Sequence, residues 1–314
     1  QIWGTVLDAS YVGSQARHQM ANVNINPIPM YARFDPASMD PTNPGRPLPD
    51  VFLRPYFGHN DINYRANRIS SNYNSFQFSA NRRFTRGLQF GVAYTWSRTM
   101  GVADTDTSGL SPYFDWSVRN YGPAGFDRRH VFVANYIYEI PNLGKRLNNR
   151  YLGWVTDNWQ VSGITSFISG APFTPGFSTT DGQDITGSSE GARVNIIGDT
   201  YLPKEQRTFN RNFNTEAFAR PALRDFGNAG HNSMYGPGVN NWDISVSKRF
   251  PLFSEGRYFQ FRGEFFNTWN HTQFSSLDTT ARFNPAGQQV NLNFGAFNGA
   301  RDPRLIQLSL RLNF

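Results

Sequence analysis

Several short patterns in this chain have the composition of chemical sites. Residues Gly187–Gly191, GSSEG, satisfy G-x-S-x-G and would offer Ser189 as a nucleophile. That chemistry needs a buried strand before the serine and a helix after it, which together hold the hydroxyl on a strained turn. The flanks here are Gly, Ser and Asp, which read as loop, so the match fails on context. The stretch DTDTSG places the carboxylates of Asp104 and Asp106 two residues apart, weak candidates for Ca²⁺ because the other ligands of an EF-hand loop are missing. The histidines, His18, His59, His130, His231 and His271, show neither H-x-x-x-H nor H-E-x-x-H spacing. A zinc site would have to be assembled from distant loops. Asn270–Thr272 is a formal glycosylation sequon, and no phosphate-binding glycine loop is present. The expectation is a protein that is not an enzyme and carries no cofactor.

A second set of polar residues lies inside apolar stretches. Arg83, Gln260, Arg262, Glu264, Arg311 and Asn313 each alternate with hydrophobic neighbours. At the centre of a bilayer an arginine costs about 2–4 kcal/mol, so these side chains are expected to face water, a lumen or a plug. A third set is aromatic and sits between the alternating stretches: Tyr56, Phe57, Tyr113, Trp116 and Tyr235. Such rings could stack on a glycan or a peptide.

The elements that must position these residues are strands. In YNSFQFSANRRF one face takes Phe76, Phe78, Ala80 and Phe84, and the other Ser75, Gln77, Ser79, Asn81 and Arg83. After TRG, the stretch LQFGVAYTWSR sets Leu88, Phe90, Val92, Tyr94 and Trp96 against Gln89, Gly91, Ala93, Thr95 and Ser97. Period-two alternation on both sides of a glycine turn is the signature of a hairpin. The pattern recurs in RHVFVANYIYEI, WQVSGITSFIS, NWDISVSKRF, YFQFRGEFFNTW and RLIQLSLRLNF, and less regularly from Trp3 to Tyr11. That makes about eight strands of about 10–13 residues, long enough to cross a bilayer when tilted.

Composition agrees with strands. Hydrophobic residues are 39% of the 314, aromatics 16%, and there is no cysteine. Disulfides and thiolate metal sites are therefore excluded. The net charge of +7 is scattered without a basic run, so nucleic acid is not an expected partner. Connections alternate between short (85–87, 141–158, 251–256) and long (14–71, 99–128, 170–240, 270–302). Aromatics gather near both strand ends. Short turns on one side, long loops on the other and two aromatic belts are features of an outer-membrane barrel. A soluble sandwich does not require that asymmetry.

Taken in order, SNYNSFQFSANRRFTRGLQFGVAYTWSR, DRRHVFVANYIYEIP, NWQVSGITSFISGAPFTP, FGNAGHNSMYGPGVNNWDISVSKRF, FRGEFFNTWNHTQF and the terminal RLIQLSLRLNF resemble the C-terminal barrel part of TonB-dependent outer-membrane receptors. The Oar-like branch, whose members carry a carboxypeptidase-regulatory-like domain, is the one most resembled. The resemblance implies an all-β, antiparallel up-and-down transmembrane β-barrel with long external loops, of about 22 strands in the whole receptor. Residues 1–314 would be its C-terminal part, without the plug or the TonB box. It also implies energy-coupled import of a scarce ligand, glycan or peptide, and a place in the bacterial outer membrane. The implied partners are outer-membrane lipid, the barrel-assembly machinery, and a plug domain and TonB acting through the N-terminal part. Leu310, Leu312 and Phe314 resemble the C-terminal signal read by that machinery. Two readings stand beside this one: a self-contained eight-stranded adhesin or anchor, and a secreted all-β binding module of lectin-like kind.

Overall fold

The computed structural model describes residues 4–252 and 256–314, so Trp3 and part of the 251–256 turn lie outside the described residues. Alternation drives the chain into long antiparallel strands, because only an extended backbone puts every second side chain on one face. These are β1 (Thr5–Asn24), β2 (Asn63–Thr85), β3 (Leu88–Gly101), β4 (His130–Glu139), β5 (Trp159–Ile168), β6 (Val239–Pro251), β7 (Tyr258–Phe266) and β8 (Leu305–Asn313). Each pairs with its neighbour in the chain, from β1 at one side to β8 at the other. Two short segments, Gly109–Leu110 on β1 and Gly122–Pro123 on β3, complete a 10-stranded sheet.

The register keeps the two faces separate. Phe76 lies opposite both Tyr11 and Trp96, and Phe78 opposite both Ala9 and Tyr94. Tyr94 in turn lies opposite Phe132, and Phe132 opposite Phe167, with ring centroids 5.8 Å apart. The β2–β3 turn is tighter than three residues. Arg86 (φ 53°) and Gly87 (φ 78°) alone bridge Thr85 and Leu88. Positive φ at both central residues is the mirror-image turn whose twist matches that of the strands.

The sheet does not close. Among the described residues β1 and β8 make no ladder with each other, so the expectation of a closed transmembrane barrel is overturned. An open sheet leaves a row of N–H and C=O groups along each edge. In hydrocarbon each unsatisfied group costs several kcal/mol, and only closed barrels and helices escape that cost. The expected outer-membrane placement, and lipid as a partner, fall with the barrel. No helix among the described residues is long and apolar enough to cross a membrane.

The connections also differ from expectation. The first loop is not 14–71, because β1 and β2 run on together past Ser14 and Ser71 before parting. The short connection 141–158 is a folded foot of two helices, α3 (Leu143–Arg146) and α4 (Arg150–Thr156). They are preceded in the chain by the four-residue helices α1 (Asp50–Leu53) and α2 (Trp116–Arg119). At the other end of the sheet the long connections pack into a cap with its own core. Val194, Phe213, Ala217, Phe218, Ala229, Met234, Ala281, Phe283 and Phe294 are buried together there, drawn from two different loops. Phe213, Phe218 and Phe294 meet edge-to-face at 5.1–5.7 Å. A smaller cluster of Ala21, Ile69, Val102 and Leu110 joins the cap to the extensions of β1 and β2.

Candidate functional site

The sequence offered a catalytic motif, acidic loop residues, a polar strand face and loop aromatics, and the structure gives each a place. Ser189 is exposed in a run of bends, without the strand before it and the helix after it that the motif requires. Its Oγ accepts from the Ile28 backbone N–H (2.8 Å), and its own N–H donates to the Tyr113 hydroxyl (3.0 Å). Asp104 accepts from the Gly125 N–H at 2.8 Å, which fixes a loop crossing. Among the described residues no group of three or more His, Asp or Glu side chains is arranged to hold a metal, and Asp104 and Asp106 are not brought into one.

The polar strand set lies on one face of the sheet. Arg262 Nη2 is 2.9 Å from Glu264 Oε1, and its Nε donates to Ser245 Oγ at 3.1 Å. Gln260 lies opposite Arg311, and Asn313 opposite Tyr258. Arg83 is exposed, in the irregular stretch where β2 slips out of register with β3. A cavity of about 330 Å³ runs along this face between Gln89, Asn135, Asp243 and Glu264. With the sheet open, this is a polar surface and not a lumen. On the other face Leu310 and Leu312 are exposed, as is Phe314 at the chain end.

The loop aromatics divide into struts and exposed rings. Tyr113 hydrogen-bonds the Ile28 carbonyl. Trp116 donates from Nε1 to the Ser111 carbonyl at 2.9 Å and packs on the smaller core. Tyr56, Phe57 and Tyr235 keep their rings in solvent, Phe57 leaning on Phe52 at 5.0 Å. The loop that carries Tyr56 and Phe57 is held by Asn26, which is fully buried. It donates to the carbonyls of Tyr56, His59 and Asn60, and its Oδ1 accepts the Tyr56 N–H.

Sequence reasoning missed a buried charged cluster in the cap. Arg119, 8% exposed at the end of α2, donates from Nε to Glu190 Oε1 (2.7 Å). It also donates to the carbonyls of Gly227 (2.9 Å) and Phe226 (3.0 Å). Glu190 accepts a second bond from the Ser111 hydroxyl. Arg193 stands beside this pair. Burial and the neighbouring Arg119 guanidinium push its pKa down to about 10, against the pull of Glu190. His231 is also held below its usual value by burial, with Arg193 adding to that and Asp104 opposing it. The one sequence signal for this cluster is the glycine-rich DFGNAG, in which Gly227 takes φ +70°.

Next to the cluster opens a cavity of about 490 Å³, lined by Tyr31, Phe114, Val118, Arg119, Arg193, Arg224 and residues 225–230. Phe226 is its hub. Phe114 meets it edge-on at 5.0 Å, Tyr113 at 5.9 Å and Tyr31 at 6.1 Å. The Arg224 guanidinium lies 5.9 Å from the Tyr31 ring centroid.

Comparison with known proteins bears on the resemblance. Residues 1–307 match a family described as outer membrane beta barrel domain. No match is found among curated proteins. The family is a general one and does not single out a TonB-dependent or Oar-like receptor. With the barrel open as well, the expected energy-coupled import is overturned, together with its plug, TonB and assembly-machinery partners. What the match over nearly the whole length establishes is descent: the chain belongs to the outer membrane beta barrel domain family.

Proposed function

We propose that this chain is a non-catalytic binding module, in which the sheet is the scaffold and the cap is the recognition end. The observation that carries this reading is the cap core. Loops that only connected strands would have no reason to bury Phe213, Phe218, Phe283 and Phe294 against one another. Edge-to-face pairs of this kind contribute about 0.5–1.5 kcal/mol each beyond their burial, enough to hold loop backbone in one shape. A rigid loop platform with exposed Tyr56, Phe57 and Tyr235 at its rim suits capture of a partner, since aromatic anchors dominate binding energy. Asp104, Asp127, Asp157 and Asp243 each accept a backbone N–H, a use that fixes the loops in place.

The test is a glycan and peptide array probed with the full chain. Tyr56→Ala, Phe57→Ala and Tyr235→Ala should each weaken the captured ligand by about ten-fold or more. Tyr151→Ala and Trp154→Ala, exposed on the foot at the far end of the strands, should leave it unchanged. Binding that maps to the foot, or chemical conversion of an array ligand, would overturn the reading.

A further inference from the structure

We propose that the cap cavity beside Phe226 is a site for a small aromatic carboxylate, held by Arg193 and Arg224. The inference rests on the reading of the cap as the recognition end and names one ligand class for it.

Charge is the first argument. Arg119, Arg193 and Arg224 line the cavity. The carboxylates at hand are Glu190, paired with Arg119, and Asp225. Both are already occupied as acceptors. Glu190 takes Arg119 and Ser111, while Asp225 takes the Asn195 amide (2.7 Å) and the Gly227 N–H (2.9 Å). One positive charge is left over, which a monoanion neutralises.

Donor capacity is the second. A guanidinium has five N–H donors. Among the described residues Arg193 uses one of its side-chain nitrogens, donating from Nη1 to the Ala229 carbonyl at 3.2 Å. The Arg224 side chain has no hydrogen-bond partner among the described residues, and its backbone N–H is tied to the Ile185 carbonyl at 2.7 Å. The backbone is thereby fixed beside the cavity, while the exposed guanidinium, 5.9 Å from the Tyr31 ring centroid, keeps its donors unspent. A forked guanidinium matches the two oxygens of a carboxylate.

Shape is the third. The walls are the rings of Tyr31, Phe114 and Phe226, and about 490 Å³ lies within the range of small-molecule sites, roughly 300–1,000 Å³. A bare inorganic anion would leave those rings wet. A planar apolar body with one carboxylate fills both halves of the site.

The experiment is calorimetric titration of the full chain with phenylacetate, compared with benzyl alcohol, which has the ring without the charge, and acetate, which has the charge without the ring. Saturable 1:1 phenylacetate binding is expected, with both controls weaker by about ten-fold or more. Arg193→Gln should abolish it. Since Arg193 also braces Ala229, folding is controlled by Arg224→Gln, on an exposed side chain, and by Val118→Glu, at a mouth residue that is 81% exposed. Each should weaken phenylacetate by about ten-fold. Absence of saturable binding would overturn the proposal, as would affinity unchanged in Arg224→Gln and Val118→Glu, or benzyl alcohol binding as tightly as phenylacetate. The outcome is separable from the array test. Phenylacetate binding that persists while rim variants leave array capture intact would sink the recognition-rim reading alone.

Discussion

Gly227 illustrates how much of the cap depends on single atoms. A Cβ placed there would lie 1.8 Å from the Arg193 carbonyl oxygen, and the backbone sits at φ +70°. That close approach lets the Arg193 N–H donate to the Phe226 carbonyl (3.0 Å) and Arg119 reach the Gly227 carbonyl. Gly58 has nearly the same conformation, φ +75°, with nothing within 4 Å of its virtual Cβ. Gly58→Ala should cost about 1–3 kcal/mol, the strain of an L-residue in the left-handed region. Gly227→Ala should cost clearly more, because strain and collision add. Thermal denaturation of the two variants, read by near-UV circular dichroism, measures the difference, and equal losses would mean that the backbone at residue 227 gives way freely. None of this is legible in DFGNAG as letters. Glycine marks a permissive position, but the oxygen it must pass lies over thirty residues earlier. Arg119 and Arg193 read as scattered surface charge for the same reason, since burial is set by segments distant in sequence.

At the scale of elements, what is local was legible. Period-two alternation fixed the strands, because a one-residue slip would move a whole apolar set to the other face. The foot was not. N-L-G-K-R-L-N-N-R-Y-L-G-W-V-T-D-N is too short for a clear helical period, and its glycines suggest a turn. In the structure those glycines let two helices touch: a Cβ on Gly144 would lie 2.0 Å from the Gly153 Cα. The Asn149 side chain caps α4 by accepting from the Leu152 N–H at 3.0 Å. The Asp157 carboxylate receives the N–H groups of Gly144 (2.8 Å) and Lys145 (3.0 Å), holding the start of α3 against the end of α4. Beneath it Lys248 donates to the carbonyls of Val155 (2.7 Å) and Asp157 (3.0 Å) and lies over the Trp159 ring at 4.9 Å. Asp157→Ala should therefore melt α3 while the sheet persists. Hydrogen exchange should show lost protection at residues 143–147 and little change in β5 and β6. Uniform loss across the strands would mean that the foot and the sheet unfold as one unit.

For the whole molecule, the sequence carried the faces of the sheet but not its closure. Alternation is the same for an open or a closed sheet, whereas closure depends on whether the first and last strands meet, which no local pattern encodes. The consequence is physical. Every residue of β8 from Leu305 to Leu312 is exposed, with Ile306, Leu308, Leu310 and Leu312 forming an apolar row, and Leu7 and Tyr11 expose the same face on β1 at the other side. An exposed, long, apolar edge is a template for pairing with another chain. In water the purified chain should self-associate through these edges, with a weight-average mass that rises with concentration in light scattering. Leu308→Lys and Leu310→Lys should suppress it, because charge on an edge strand opposes strand addition. Both changes lie far from the cap, so phenylacetate affinity should be retained, which separates edge pairing from general misfolding. A wild-type chain that stays monomeric across the concentration series would mean that the two edges are satisfied in some way the open sheet does not contain.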